Sequence, residues 1–243
     1  MAKRTGAIVV IGNEILTGKS QDQNATFLIT ELYRLGVALR RVIVIADDVG
    51  EIATAVRDCS EKFDYVFTSG GIGPTHDDVT IEGVARAFGR KVTRHSELES
   101  LIQKYFGQDV DDARLRMADA PEHAALVYAE GLRWPVLLVE NVYILPGVPE
   151  LFRSKFEALR ERFRTEPFHS YVIYTMEDEF DIAARLNQIA ADYPTVDIGS
   201  YPNFTRSDYR VKITLESKDS EAVERARAAL VGLMDPSSLV RAE

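Results

Sequence analysis

"GAIVVI", residues 6–11, is an unbroken apolar run rich in β-branched side chains. A strand covered on both faces is built this way, whereas a strand with one wet face alternates polar and apolar residues. Behind a polar loop comes "NATFLITELYRLG" (24–36), in which Phe27, Leu28, Leu32 and Leu35 recur at helical spacing and Gly36 supplies a stop. "VALRRVIVIADD" (37–48) returns to strand, and "EIATAVRDCSEKF" (51–63) predicts a helix with Ile52, Val56 and Cys59 on one side. "DYVFTSGG" (64–71) then reads as a third strand running into glycines. Strand, helix, strand, helix, strand in this order predicts a doubly wound, mostly parallel α/β sheet.

Further along, "SELESLIQKYFG" (96–107) predicts an amphipathic helix, and "DDARLRMADAPEHA" (111–124) a short helix ended by Pro121. "PVLLVENVYILPG" (135–147) reads as a hairpin of two apolar strands around Glu140-Asn141. "VPELFRSKFEALRERF" (148–163) is a helix with Pro149 in its first turn, and "RERFR" (160–164) reads as its solvated end. The texture changes near Thr165. From there "SYVIYTM", "EFDIAARLNQIAAD", "VDIGSY", "YRVKITLES" and "SEAVERARAALVGLM" give a β-α-β-β-α order. The expected organisation is a first domain over 1–165 and a small α+β, ferredoxin-like domain over 166–243.

Composition narrows the function classes. The 243 residues carry a formal net charge of -9, which argues against nucleic acid as a partner, because binding it needs a basic footprint. Cys59 is the single cysteine, so neither an intramolecular disulfide nor a cysteine-based zinc site is expected. The opening "MAKRTGAIVVIGNEI" has an apolar run too short for a signal-peptide core, and no stretch reaches the roughly 20 apolar residues of a membrane span. A cytoplasmic protein with no membrane partner is the expectation.

In a doubly wound sheet ligands sit at the carboxyl ends of the strands. Three polar loops are expected there: "GNEILTGKSQDQN" (12–24), "ADDVGE" (46–51) and "TSGGIGPTHDDVT" (68–80). The first ends in Gly-Lys-Ser like a P-loop, but five residues instead of four separate Gly12 from Gly18, so an ATPase reading is rejected. In the third loop Gly70, Gly71 and Gly73 leave backbone N–H groups open to an anion, with Ser69 and Thr75 as flanking candidates. A helix expected to begin near Asp78 or Val79 adds its N-terminal dipole. Asp78 reads either as the N-cap of that helix or, with Asp77, as a metal ligand; two carboxylates beside a phosphate cradle repel the ligand unless a cation intervenes. Glu14, Asp22 and Asp48 would join the same cleft. His76 stands between metal ligand or general base and hydrogen-bonding spacer, and Cys59 reads as core.

"GNEILTGKSQDQNATFL", "TSGGIGPTHDDVT" and "YILPGVPELF", in this order, resemble the molybdopterin-binding (MoaB/Mog-like) domain, in the branch found at the N-terminus of the competence/damage-inducible protein A (CinA-like) family. The likeness spans residues 6–164. "DIAARLNQIAADYPTVDIGSYP" followed by "YRVKITLES" is similar to the small domain that follows in eukaryotic FAD synthases. No segment resembles their synthetase domain or the amidohydrolase domain of full-length competence-damage proteins, so nicotinamide-mononucleotide deamidation is not implied. Where many competence-damage proteins carry a "GTAPG"-like stretch, this chain reads "GLRWPVLLVENVYILPG".

The resemblance implies two essential aspartates, falling on Asp48 and Asp78. It also implies either metal-dependent hydrolysis of a nucleotide pyrophosphate such as ADP-ribose or FAD, releasing AMP, or adenylyl transfer to molybdopterin. A non-catalytic binding module is the alternative from another class. The expected site comprises Asp78 and Asp48 as catalytic and metal-holding groups, with Asp77 beside them, and Mg, Mn or Co as the cation. Ser69, Gly70, Gly71, Gly73 and Thr75 would hold phosphate. Glu14, Asp22 and Asn24 would meet the nucleotide or pterin, and Pro146 and Gly147 would shape the rim. Molybdopterin is a candidate ligand, a nucleotide or pterin the expected small-molecule partner, and a homo-oligomer the expected assembly.

Overall fold

The computed structural model describes residues 4–205 and 208–243. The basic opening stretch up to Lys3 therefore lies outside the described residues. The chain divides into two compact units, one ending at Thr165 and one covering Glu166–Glu243.

The first unit opens with β1 (Thr5–Ile11), α1 (Asn13–Leu16), α2 (Asn24–Arg34) and β2 (Ala38–Ile45). It continues with α3 (Val49–Lys62), β3 (Tyr65–Ser69), α4 (Thr80–Ala87), β4 (Val92–Arg94), α5 (Ser96–Phe106) and α6 (Asp112–Arg116). Short strands β5 (Asp119–Pro121) and β6 (Ala125–Val127) precede the hairpin β7 (Val136–Val139) and β8 (Val142–Leu145), and α7 (Pro149–Leu159) follows. Six strands form one sheet in the order β2-β1-β3-β8-β7-β6. β2, β1, β3 and β8 run parallel, and β7 and β6 complete the sheet antiparallel.

The apolar run of β1 has the expected consequence. Ile8 and Val10 enter one core with Leu28 and Leu32 of α2 and Phe152 and Phe156 of α7. Ala7, Val9 and Ile11 enter the other with Ile52, Val56 and Cys59 of α3 and Val84 of α4. Successive side chains of a strand point to opposite faces, so a run apolar at every position needs helices on both.

Three expectations are corrected. "DDARLRMADAPEHA" does not stay helical to Pro121: α6 ends at Arg116, and 119–121 pair with β4 as a separate two-stranded antiparallel sheet. "RERFR" is not simply a solvated helix end. Phe163 is buried and stacks on Phe156 with ring centroids 5.5 Å apart, while Arg160 reaches the buried Glu31 carboxylate at 3.4 Å. A buried glutamate needs a cation, and Arg34 at 2.7 Å supplies a second. The helix expected from Asp78 or Val79 begins instead at Thr80.

The second unit consists of β9 (His169–Thr175), α8 (Glu179–Asp192), β10 (Asp197–Pro202), β11 (Val211–Ser217), α9 (Ser220–Leu233) and β12 (Leu239–Ala242). Its antiparallel sheet has the order β10-β11-β9-β12, the ferredoxin-like arrangement. Along β11 buried and half-buried residues alternate, and Val211, Ile213 and Leu215 pack against Ile182, Ile189 and Ala226 of the two helices. Asp178 and Asp219 cap those helices through their side chains. No helix among the described residues is long and apolar enough to cross a membrane.

Candidate functional site

The parallel strands β1, β2, β3 and β8 lie side by side, so the loops leaving their carboxyl ends are neighbours. Asn24, the first residue of α2 and 4% exposed, knots three of them together. Its Nδ2 donates to Ser69 Oγ at the end of β3 and to the carbonyl of Gly147 behind β8, both at 2.8 Å. The 46–49 loop joins at the other side: the Asn13 N–H donates to Asp47 Oδ2 at 2.8 Å, and the Gly12 N–H to the Ile45 carbonyl at 3.1 Å. Convergence of the loops is thus a matter of specific hydrogen bonds.

A cavity of about 280 Å³ opens at this knot, lined among others by Glu14, Asp22, Asn24, Ser69 and Gly147. Among the described residues no lysine or arginine stands in its wall. Asn24 Oδ1 is buried there without a partner among the described residues. Asp22 has local work to do as well: its carboxylate accepts from the N–H groups of Asn24 (3.0 Å) and Ala25 (3.1 Å), capping α2 from just outside the helix. Pro146 is buried beneath the rim and Gly147 is exposed.

Two glycines of the 70–79 loop combine positive φ with close approach of neighbouring atoms. A Cβ on Gly70, where φ is 103°, would stand 2.2 Å from the Ile11 carbonyl oxygen. One on Gly71, at φ 64°, would stand 2.3 Å from Thr80 Oγ1. Gly147 follows the same logic, with its absent Cβ 3.1 Å from the Gly70 Cα. The Gly70 N–H, expected to face a phosphate, donates instead to the Leu145 carbonyl at 3.2 Å, which takes it out of the anion cradle. The N–H groups of Gly71, Ile72 and Gly73 have no acceptor among the described residues.

The aspartates are placed differently from expectation. Asp78 does not cap α4: position 79 precedes the helix with no side-chain cap, and Asp78 Oδ2 folds back to accept from the Thr75 N–H at 2.8 Å and from the Thr75 hydroxyl. A Cβ on Gly73 would stand 2.6 Å from the same carboxylate oxygen, so a side chain there would displace the Asp78 carboxylate. Asp48 is the N-cap of α3, with Oδ1 accepting from Gly50 N (2.8 Å) and Glu51 N (2.9 Å). It lines a separate groove along α3 and not the cavity of Asn24. Asp77 and His76 are exposed at the loop tip, 3.9 Å apart. Among the described residues no three His, Cys, Asp or Glu side chains gather around a point that could hold a metal ion. Asp48, Asp77 and Asp78 are thus not gathered as three ligands around one point. The Asp48 and Asp78 carboxylates are each held in place by neighbouring N–H or hydroxyl donors.

Thr80 carries no local sequence signal that marks it as part of the site. It is fully buried, and it closes the glycine loop from the far side.

Comparison with known proteins places this architecture. Residues 7–165 match the family described as "Probable molybdopterin binding domain", and residues 167–243 match "FAD synthase, middle domain". A "Probable FAD synthase" of Caenorhabditis briggsae is 35% identical over 260 residues, covering 96% of this chain and 50% of the relative. A protein of Archaeoglobus fulgidus is 37% identical over 219 residues, covering 90% of this chain and 93% of the relative. The crystal structure of the protein CinA, of unknown function, from Thermoplasma acidophilum superposes with a TM-score of 0.61 at 32% identity, covering 67% of this chain and all (100%) of that one. The chain spans about half the length of the nematode relative it matches. With its parallel sheet, its glycine loop behind β3 and its ferredoxin-like second unit, the chain belongs to the molybdopterin-binding (MoaB/Mog-like) domain family and carries the FAD-synthase middle domain behind it.

Proposed function

We propose that the first unit binds a phosphorylated nucleotide or pterin at the carboxyl ends of β1, β3 and β8, and hydrolyses the pyrophosphate bond of an ADP-ribose- or FAD-like substrate to release AMP. The observation that carries this reading is the knot at Asn24. It joins three strand-end loops around a cavity of about 280 Å³, next to a glycine loop with three consecutive N–H groups that have no acceptor among the described residues. That volume lies at the lower limit of small-molecule pockets, about 300–1,000 Å³, and suits one ring-bearing half of a dinucleotide better than the whole. Among the described residues the cavity wall has carboxylates and amides and no cationic side chain, which suits a donor-bearing base or pterin; phosphate suits the glycine loop. The middle-domain match and the nematode relative named for FAD synthesis support a nucleotide as ligand.

In the proposed reaction a water oxygen bonds to the AMP phosphorus as the bridging oxygen leaves with the second phosphate. Asp78 would orient the water and take its proton, after releasing its hold on Thr75. Asp48 would act from the neighbouring loop. No step is assigned to a bound metal, because the carboxylates do not gather as a ligand set.

One observation favours a second reading, a binding module without turnover: both carboxylates proposed for chemistry are engaged in holding the chain itself. Chromatographic assay of AMP from ADP-ribose, FAD, NAD and ATP, with Mg²⁺, Mn²⁺, Co²⁺ or chelator, separates the two. AMP from the wild type and none from Asp78→Asn supports hydrolysis. No AMP under any condition, with a ligand still bound, gives the binding module.

A further inference from the structure

Thr80 is buried at 0% exposure at the start of α4, and its polar groups are aimed at the glycine loop. Its hydroxyl donates to the Gly70 carbonyl at 2.8 Å and its N–H to the Gly71 carbonyl at 2.9 Å. The hydroxyl also fills the space a side chain at position 71 would need, since the absent Cβ would lie 2.3 Å away. In a trans peptide the carbonyl and the following N–H point in opposite directions, and no described peptide bond is cis. Holding the carbonyls of Gly70 and Gly71 toward Thr80 therefore turns the N–H groups of Gly71 and Ile72 away from it. With the Gly73 N–H they make three consecutive donors without an acceptor among the described residues, and Gly71 and Ile72 are both half-buried. Adjacent N–H groups turned to one side form a concavity that binds an anion.

We propose that Thr80 is the positioning residue of an anion site whose donors are the backbone N–H groups of Gly71 and Ile72, and that the anion is a phosphate or pyrophosphate group. The assignment rests on the reading of the 70–78 loop as the phosphate edge of the site. Thr80 does not touch the ligand. It fixes two peptide planes, so that the donors are already oriented when the ligand arrives and no ordering of the loop opposes binding.

The test compares Thr80→Val, which keeps the shape and removes the hydroxyl, with Thr80→Ser, which restores it. Calorimetric titration with inorganic pyrophosphate and with ADP-ribose gives affinity. Amide hydrogen exchange at Gly70 and Thr80, referenced to the β1 amides, gives the order of the loop. Thr80→Val is expected to bind both probes about tenfold more weakly and to exchange about tenfold faster at Gly70 and Thr80, with β1 unchanged and Thr80→Ser near wild type. Wild-type affinity and exchange in Thr80→Val would overturn the proposal. So would an equal rise in exchange throughout β1, which would make Thr80 a general packing residue. If the wild type binds neither probe, the phosphate-edge reading fails and the anion site falls with it. The exchange arm would then still show whether Thr80 holds the loop.

Discussion

The Asn24 side-chain amide and the Ser69 hydroxyl, separated by 45 positions in sequence, meet at 2.8 Å at the point where α2 begins and β3 ends. The same amide nitrogen holds the Gly147 carbonyl, so one buried side chain fixes the relative placement of three loops.

Asn24→Ala should therefore lower the stability of the first unit by about 1–3 kcal/mol, the usual cost of leaving a buried polar group unpaired. Asn24→Asp should be worse, because it sets a carboxylate against the Gly147 carbonyl in a buried place. Urea denaturation of the two variants beside wild type reads the order directly. Equal midpoints for all three would show that the knot carries no stability.

Gly70→Ala and Gly131→Ala separate backbone strain from collision. Both glycines have positive φ, 103° and 82°, but a Cβ at Gly131 meets open space while one at Gly70 meets the Ile11 carbonyl. Gly131→Ala should cost about 1 kcal/mol from conformation alone. Gly70→Ala should cost more than about 4 kcal/mol or fail to fold, because the atom it strikes is backbone. Similar denaturation midpoints for the two would refute the close approach.

Asp48→Asn and Asp48→Ala test whether the aspartate has chemistry beyond its cap. Asparagine caps as well as aspartate, whereas alanine loses about 0.5–2 kcal/mol. A thermal melt should show Asp48→Asn near wild type and Asp48→Ala lower. If AMP release falls in Asp48→Asn while its melt does not change, the carboxylate acts in the reaction; undiminished release would confine Asp48 to capping α3.

Lys155 gives a pH dependence with a definite sign. Its Nζ donates to the carbonyls of Trp134 (2.8 Å) and Pro135 (3.1 Å), and burial pushes its pKa down to about 8. An unfolded lysine titrates at about 10.4, so between these values the unfolded chain binds more protons than the folded one. The Lys155 contribution to stability should rise as pH increases through that window and stay flat below it. Lys155→Met should remove this component, seen as the difference between the melting temperatures of the two proteins from pH 7 to 10.5. A constant difference would mean that the amine is ordinarily solvated.

The sequence was most legible where one strand's pattern answers to helices on both sides. Residues 6–11 predicted a two-faced strand, and the hairpin at 135–147 and both helices of the second unit were equally plain from periodicity. Less legible were elements whose existence depends on a distant partner. β12 is four residues long with an arginine in it, and only its pairing with β9 makes it a strand. Phe163 looked exposed among arginines because burial by Phe67 and Phe156 comes from elsewhere in the chain. Asp48 did carry a local signal: aspartate followed three residues later by Glu51 is an N-cap pattern. At Asp78 the pattern misled, since the carboxylate turns back to Thr75 and not forward into the helix.

The most direct test of the central claim is calorimetric titration of ADP-ribose, FAD and a pterin into wild-type protein and Asn24→Ala. The account predicts saturable binding of at least one of them by the wild type, and at least about tenfold weaker binding by the variant, as expected when buried hydrogen bonds that shape a site are lost. Failure of all three to bind the wild type, or equal affinity in the variant, would contradict the placement of the site at the ends of β1, β3 and β8.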